Sequence, residues 1–403
     1  MPQFAHPIDV AWVSTGGTGA QNYDEFASDA EIEAIIARHP DTVLAVEMPH
    51  CTPEARIAGL PFTEALPAAV TRLAELKADG RFERADDVVA LYRITSELAV
   101  VYGLLLMIDT DQISSSADDP GQIIRNEDVF PAKVAERTAL IQGLQHLLSA
   151  VLLVQSEGGG DLEEQLAALV AAMDKPTVSD TDQLGQVHDL WLLPDGAERS
   201  AVLAAVNAGQ LVVADGNHRT LAAQHAGLPR FLAVVTTAGS VHIRPYNRLI
   251  RELGMAPEEF VEALRAAGAP VQPWEGEVAV PVLPGTVAVV LPHGQSYAVT
   301  LPRMPAGNVV DRLDHSVVER LVLGSILDVS PDDANVSYIG GDYPVEWLTG
   351  EVDAGRAEAA ILISPVSVQD FLTVNVERLK MPRKSTWFSP KARAGLILAE
   401  LAG

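Results

Sequence analysis

"LVVADGNHRTLAAQHAGLPR" (residues 211–230) runs from an apolar stretch into a helical pattern through Asp215-Gly216-Asn217-His218-Arg219. A short apolar run followed at once by an amphipathic helix marks an α/β or α+β layer built on mixed sheets. Gly216 permits a tight turn and a close backbone approach. The helix reads from about residue 217 to 226 and stops at Gly227, with Pro229 beyond it. The first turn of a helix lacks intrahelical partners for its N–H groups and carries the positive end of the dipole, so it suits an anion. His218 and Arg219 add a donor and a cationic fork, which makes Asp215 to Thr220 a candidate phosphate segment. On residue types alone, an N-capping Asp beside an exposed Arg accounts for the same residues equally well.

Other segments supply groups that such a site would need. "RNEDV" (125–129) puts Arg125, Asn126, Glu127 and Asp128 just before a long helical pattern. Acids often sit in a first helical turn because the dipole favours them, so Glu127 as a general base competes with a structural reading. Lys133 and Arg137 are one turn apart on the following helix, either facing an anion or simply solvated. "RPYNR" (244–248) is locally basic and ends in Arg248. "KMPRKSTWFSPK" (380–391) is a proline-braced cationic segment in which Lys384, Ser385 and Thr386 could donate to an anion. It is not a P-loop, because no Gly-rich run precedes the Lys. "GGTG" (16–19) lacks dinucleotide-binding spacing, and Asp109 and Asp111 after a strand are weak Mg²⁺ candidates.

Around these segments the pattern alternates strands and helices. "DVAWVS", "TVLAVEM", "DVVALYRIT", "YGLLLMIDT", "VHDLWLLPD" and "LVVAD" read as strands, with the third and fourth paired. "SDAEIEAIIARH" opens with a capping box, Ser28 and Glu31, and "EALPAAVTRLAELKADG" is a helix closed by Gly80. Residues 121–155 are expected to hold a short polar turn and then a long helix, because Val134, Ile141, Leu144, Leu148 and Val151 keep helical spacing. "FLAVVTTAGSVHIRPYNRLI" reads as a hairpin turning at Ala238-Gly239. Past residue 251 the texture turns strand-rich with Pro and Gly punctuation. This predicts two regions, 1–250 and a C-terminal α/β unit over 251–403.

The 403 residues carry 54 Asp and Glu against 28 Lys and Arg, a net charge of -26. Such a field disfavours nucleic acid and makes any local basic pocket more significant. The one cysteine, Cys51, rules out an internal disulfide framework and a cysteine zinc cluster, and no H-E-x-x-H occurs. The absence of a signal-peptide pattern and of a long apolar span leads to the expectation of a soluble, cytoplasmic protein with no membrane partner.

Taken together, "VVADGNHRTLAA", "IIRNEDVFPAKVAERTALI", "IRPYNRLI" and "MPRKSTWFSPKARAGLIL" resemble the motifs of the domain of unknown function 1015 family across nearly the whole chain. Asn126 and Asn217 stand where that family usually has His, which removes two titratable rings. The resemblance implies a ParB/sulfiredoxin-like core over about 110–250, a fold it shares distantly with free serine kinases. Carried across, it implies Glu127 as general base and Asp215 as a catalytic and metal-binding carboxylate. Nucleotide phosphates would be held by Gly216, Asn217, His218, Arg219 and Thr220, with Arg125, Lys133, Arg137, Arg248, Lys384, Ser385 and Thr386 around them. ATP or ADP with Mg²⁺ would be the cofactors, a small hydroxyl-bearing metabolite the partner, and a homo-oligomer is compatible with the reading. The rival implication is a ParB-like nucleotide-binding regulator without a base.

Overall fold

Residues 82–95, "FERADDVVALYRIT", form one long strand whose halves differ in composition and in use. After the buried Phe82, the first half is exposed apart from the half-buried Ala85, whereas Val88 to Tyr92 are all buried. A strand covered on both faces reads as a continuous apolar run, and one covered on a single face alternates. The computed structural model describes residues 3–97, 99–114, 119, 121–156, 159–302, 307–330 and 333–401. The chain forms two compact units, Met1–His242 with Pro390–Gly403, and Ile243–Ser389.

The main strands of the first unit are β1 (Ile8–Ser14), β2 (Phe82–Thr95), β3 (Val100–Asp109), β4 (Val151–Gln155), β5 (Val187–Leu193), β6 (Leu211–Asp215), β7 (Arg230–Thr237) and β8 (Ile397–Glu400). Its longer helices are α1 (Asp29–Arg38), α2 (Phe62–Ala78), α3 (Pro131–Leu144), α4 (Gly159–Ala172), α5 (Ala197–Val206) and α6 (Asn217–His225). The central order β6-β4-β7-β3-β2-β1-β8 is mixed: β7 runs parallel to β4 and antiparallel to β3. The first half of β2 pairs with β1, and its second half pairs with both β3 and β5. One core joins β3, β4, β6 and β7 to α4 and α5 through Leu104, Leu106, Leu153, Val235, Leu162, Leu166 and Val202. A second core packs α1, α2 and α3 through Ile32, Ile36, Leu73 and Leu140.

In the second unit six antiparallel strands take the order 271–273, 295–300, 286–291, 359–363, 246–250 and 336–340. Successive residues of 286–291 serve opposite faces. Val287, Val289 and Leu291 join Phe260 and Val318, while Ala288 and Val290 join Leu348 and Val352. The architecture is α+β with mixed sheets.

Three expectations are corrected. "TVLAVEM" is not a strand: Leu44–Glu47 is a buried helical turn, because its apolar residues fill the helical core and find no sheet edge. The helix from residue 131 ends at Leu144, where Gln145 takes a left-handed φ of 54°. Leu148 and Val151 continued its spacing by coincidence; Val151–Gln155 is wholly buried and is a strand. Residues 230–250 are not a hairpin. After Thr237 the chain turns through Ala238–Ser240, and Tyr246–Ile250 pairs instead with 336–340 and 359–361. The expected pairing of "DVVALYRIT" with "YGLLLMIDT" is found, with Ala90 opposite Leu105.

Candidate active site

The turn at Gly216 forms because φ is +97° there, a conformation glycine alone adopts freely. A Cβ at this position would lie 3.0–3.2 Å from the guanidinium of Arg219, which folds back over the first turn of its own helix. A cation at a helix N-terminus opposes the dipole, so acids must hold it there. Asp215 does so through an ion pair to Nη2, and Nη1 donates to the Ala150 carbonyl and to Asn22 Oδ1. Burial alone would lower the Arg219 pKa, but Asp215, Asp24, Tyr23 and Glu47 outweigh it and raise it.

The other oxygen of Asp215 accepts from Lys391 Nζ at 3.0 Å. Lys391 is only 10% exposed, and the charges of Asp215, Glu25 and Asp24 hold its ammonium above the usual range against the effect of burial. Glu25 caps Asn22, accepting from its backbone N–H at 3.0 Å and from Nδ2 at 2.8 Å. Burial pushes the Glu25 carboxyl up to about 7, with Lys391 pulling the other way and Asp215 and Asp24 adding to the rise. Glu47 is likewise raised by burial, and it accepts from Ser149. Asp215, Arg219, Lys391, Glu25, Asp24 and Glu47 thus form one charged cluster, of which Arg219, Glu25 and Glu47 are buried and the others half-buried.

Arg137 joins that cluster from α3. It is buried, donates to the Glu47 carbonyl at 3.1 Å, and stacks 4.1 Å from the Tyr23 ring centre. Arg137, Arg219, Tyr23, Glu47 and Ser149 line a cavity of about 40 Å³, roughly the room of one water molecule. Lys133, one turn earlier, is exposed. The pair therefore divides: the turn nearer the helix start faces out, and the next faces the cluster.

The two segments expected to meet do so. Asn217 Nδ2 donates to Asn126 Oδ1 at 2.5 Å, and the Phe130 N–H donates to His218 Nε2 at 3.1 Å. The rings of Phe130 and His218 stack parallel, 6.0 Å apart. An Nε2 that accepts from a backbone N–H carries no proton, so His218 here is a neutral ring turned to the 126–130 segment. Asn126 Nδ2 and Asn217 Oδ1, the other halves of the two amides, are buried without a hydrogen-bond partner. Arg125 is buried, and burial lowers its pKa; its Nη2 lies 3.4 Å from the Glu127 carbonyl oxygen. Glu127 is half-buried in this turn. Thr220 is buried and gives its hydroxyl to the Asn217 and Gly216 carbonyls within its own helix.

Arg248, Lys384, Ser385 and Thr386 belong to the second unit. There Arg248 is fully buried, and burial lowers its pKa. It donates to the carbonyls of Tyr246 and Lys384 at 3.0 Å and pairs with Glu319 at 3.3 Å. Lys384 takes a left-handed φ of 51°, and the buried Ser385 donates to the Pro382 carbonyl at 2.7 Å. In this unit Arg248 and Ser385 shape the Lys-Ser-Thr loop through backbone carbonyls.

A magnesium ion does not fit Asp215 in this arrangement, because both carboxylate oxygens already face cations. Sequence reading missed Glu25, Asp24, Glu47 and Tyr23, which carry no local pattern beyond ordinary helix and turn positions. Lys391 was visible only as the end of a basic segment. Among the described residues no helix is long and apolar enough to cross a membrane.

Comparison with known proteins gives one family and several distant folds. The family model described as protein of unknown function (DUF1015) matches residues 18–316. A conserved hypothetical protein from Pyrococcus furiosus is 13% identical, with 72% of this chain and 95% of that one covered at a TM-score of 0.38. A free serine kinase in complex with AMP is 13% identical, covering 70% and 86% at 0.39. SbnI with C-terminal truncation, from Staphylococcus aureus, is 12% identical, covering 72% and 87% at 0.38. No curated protein is matched. With 18–316 of its 403 residues inside the family model, the chain belongs to the family described as protein of unknown function (DUF1015).

Proposed function

We propose that the first unit transfers a phosphoryl group from ATP or ADP to the hydroxyl of a small molecule, with free serine the first acceptor to test. In this reading Glu127 takes the hydroxyl proton as the hydroxyl oxygen bonds to the terminal phosphorus, and the nucleotide leaves one phosphate shorter. An incoming phosphate competes with Asp215 for Arg219 and Lys391, while the first turn of α6 adds its N–H groups. Phosphoryl transfer needs alignment and charge neutralisation above all, and two cations, Arg219 and Lys391, each no more than 10% exposed beside a helix N-terminus, supply both. The observation that carries this reading is the pair of cross-links, Asn126 to Asn217 and Phe130 to His218, that ties the turn bearing Glu127 to the helix following Asp215.

The test is phosphorus NMR on the full chain incubated with ATP or ADP, Mg²⁺ and a panel of hydroxyl compounds including serine. A new phosphomonoester is expected, formed about a hundredfold or more slower by Glu127→Gln with nucleotide affinity unchanged. Equal rates for the two proteins would refute the role of Glu127. A second reading, a nucleotide-binding regulator, is favoured by the neutral, already engaged His218 and by the two Asn side chains in place of His. It predicts nucleotide binding that is lost in Arg219→Met and no turnover of any acceptor.

A further inference from the structure

Away from this cluster, three different metal-ligating side chains converge where α1 begins beside the short helix Pro49–Cys51. His50 and Cys51 are consecutive, and the tight turn sets Cys51 Sγ 3.6 Å from His50 Nε2. Asp29, the first residue of α1, brings Oδ2 to 3.9 Å from the same nitrogen. All three donor atoms lie within 4.8 Å of one another, the one such group of three among the described residues. We propose that Asp29, His50 and Cys51 bind a divalent cation of the zinc class through carboxylate, imidazole and thiolate.

The distances fit that ion. With Zn–S of about 2.3 Å and Zn–N of about 2.0 Å, tetrahedral angles place sulfur and nitrogen about 3.5 Å apart, and nitrogen and oxygen about 3.3 Å apart. The first separation is already met. The second needs a small closure by Asp29, whose side chain is 60% exposed. The partners are otherwise fixed: Cys51 is buried in the core with Ile32, Ile36 and Phe62, and the His50 ring meets Phe62 edge-on at 5.4 Å.

Charge and softness agree with the geometry. A thiolate and a carboxylate balance a dication, and the sulfur and nitrogen donors select zinc-like ions over Mg²⁺ or Ca²⁺, which take oxygen. Burial, and then the charges of Asp29 and Glu33, hold the free thiol protonated, up to about 12. Metal ligation therefore breaks the S–H bond, forms the S–metal bond and sends one proton to solvent. The exposed Asp29 side leaves a fourth position for water. The site stands apart from the phosphoryl-transfer reading, and neither depends on the other.

The test is optical titration of the reduced, chelator-stripped full chain with Co²⁺, followed by displacement with Zn²⁺. Expected are one equivalent bound with a thiolate-to-metal charge-transfer band, loss of that band in Cys51→Ser, and at least tenfold weaker binding in Asp29→Asn. A wild-type protein without the band overturns the proposal. So does Asp29→Asn binding as tightly as wild type. Asp29 is exposed, so this variant keeps its fold and decides the matter even if Cys51→Ser does not fold.

Discussion

Individual side chains in the cluster hold charge at a cost that the fold must offset, and this makes them testable one at a time. Glu25 ionises near 4.5 in the unfolded chain but keeps its proton to about 7 when folded. Between those values the folded state binds more protons, so the contribution of Glu25 is full below 4.5 and is lost as pH rises through 7. The span is at most about 3.5 kcal/mol. Replacing Glu25 by Gln removes this slope: the urea-measured difference between wild type and Glu25→Gln should change between about pH 5 and about pH 7.5, wild type losing ground at the higher value. A difference independent of pH would show that Glu25 is already ionised in the folded state. Asp215 sits between two cations, and Asp215→Asn leaves Arg219 and Lys391 without their shared partner. Breaking such a pair typically costs about 3–5 kcal/mol, read as a lower denaturation midpoint at unchanged slope. A loss below about 1 kcal/mol would mean that water already screens the triad.

At the scale of elements, the strand-turn-helix from Leu211 to His225 was legible, because apolar run, glycine and helical period agree over a short span. Its geometry makes a sharper statement than its pattern. Gly216 and Gly227 flank the same helix with φ of +97° and +70°, but only at Gly216 would a Cβ meet anything, namely the Arg219 guanidinium. Substituting Ala at Gly227 should cost about 1 kcal/mol of backbone strain, and at Gly216 about 1–2 kcal/mol more. Equal thermal shifts would place the guanidinium elsewhere. Where sequence reading failed, period was the reason. A buried strand such as Val151–Gln155 and a buried helical turn such as Leu44–Glu47 are both unbroken apolar runs, and only their tertiary neighbours separate them. The candidate site was half legible for the same kind of reason. Glu127 and Arg219 sit at turns that advertise themselves, whereas Glu25 and Glu47 gain their chemistry from burial, which no local spacing encodes.

For the whole molecule, the longest link in sequence is the one that local reading is least able to see. β8, only four residues long, pairs with β1 on one side and with His146–Leu147 on the other, and the segment leading to it delivers Lys391 to Asp215. The second unit, Ile243–Ser389, has hydrophobic clusters on both faces of its own sheet and does not draw on that strand. A chain ending at Ser389 should therefore lose the two parts of the molecule unequally. Its first unit would leave β1 without one of its two strand partners, His146–Leu147 without its partner, and Glu25 and Asp215 without their ammonium, a combined loss comparable to a whole domain's stability of about 5–15 kcal/mol. The second unit should remain folded. Limited proteolysis with mass analysis is the measurement: the truncated chain is expected to be digested through its first 242 residues while a fragment close to 243–389 persists. Lys391→Met in the full chain should instead leave both units protected at a lowered melting temperature, because it removes the ammonium and keeps the strand. If the truncated chain resists protease along its entire length, β8 is dispensable, and Lys391 is held near Asp215 only by a frayed end.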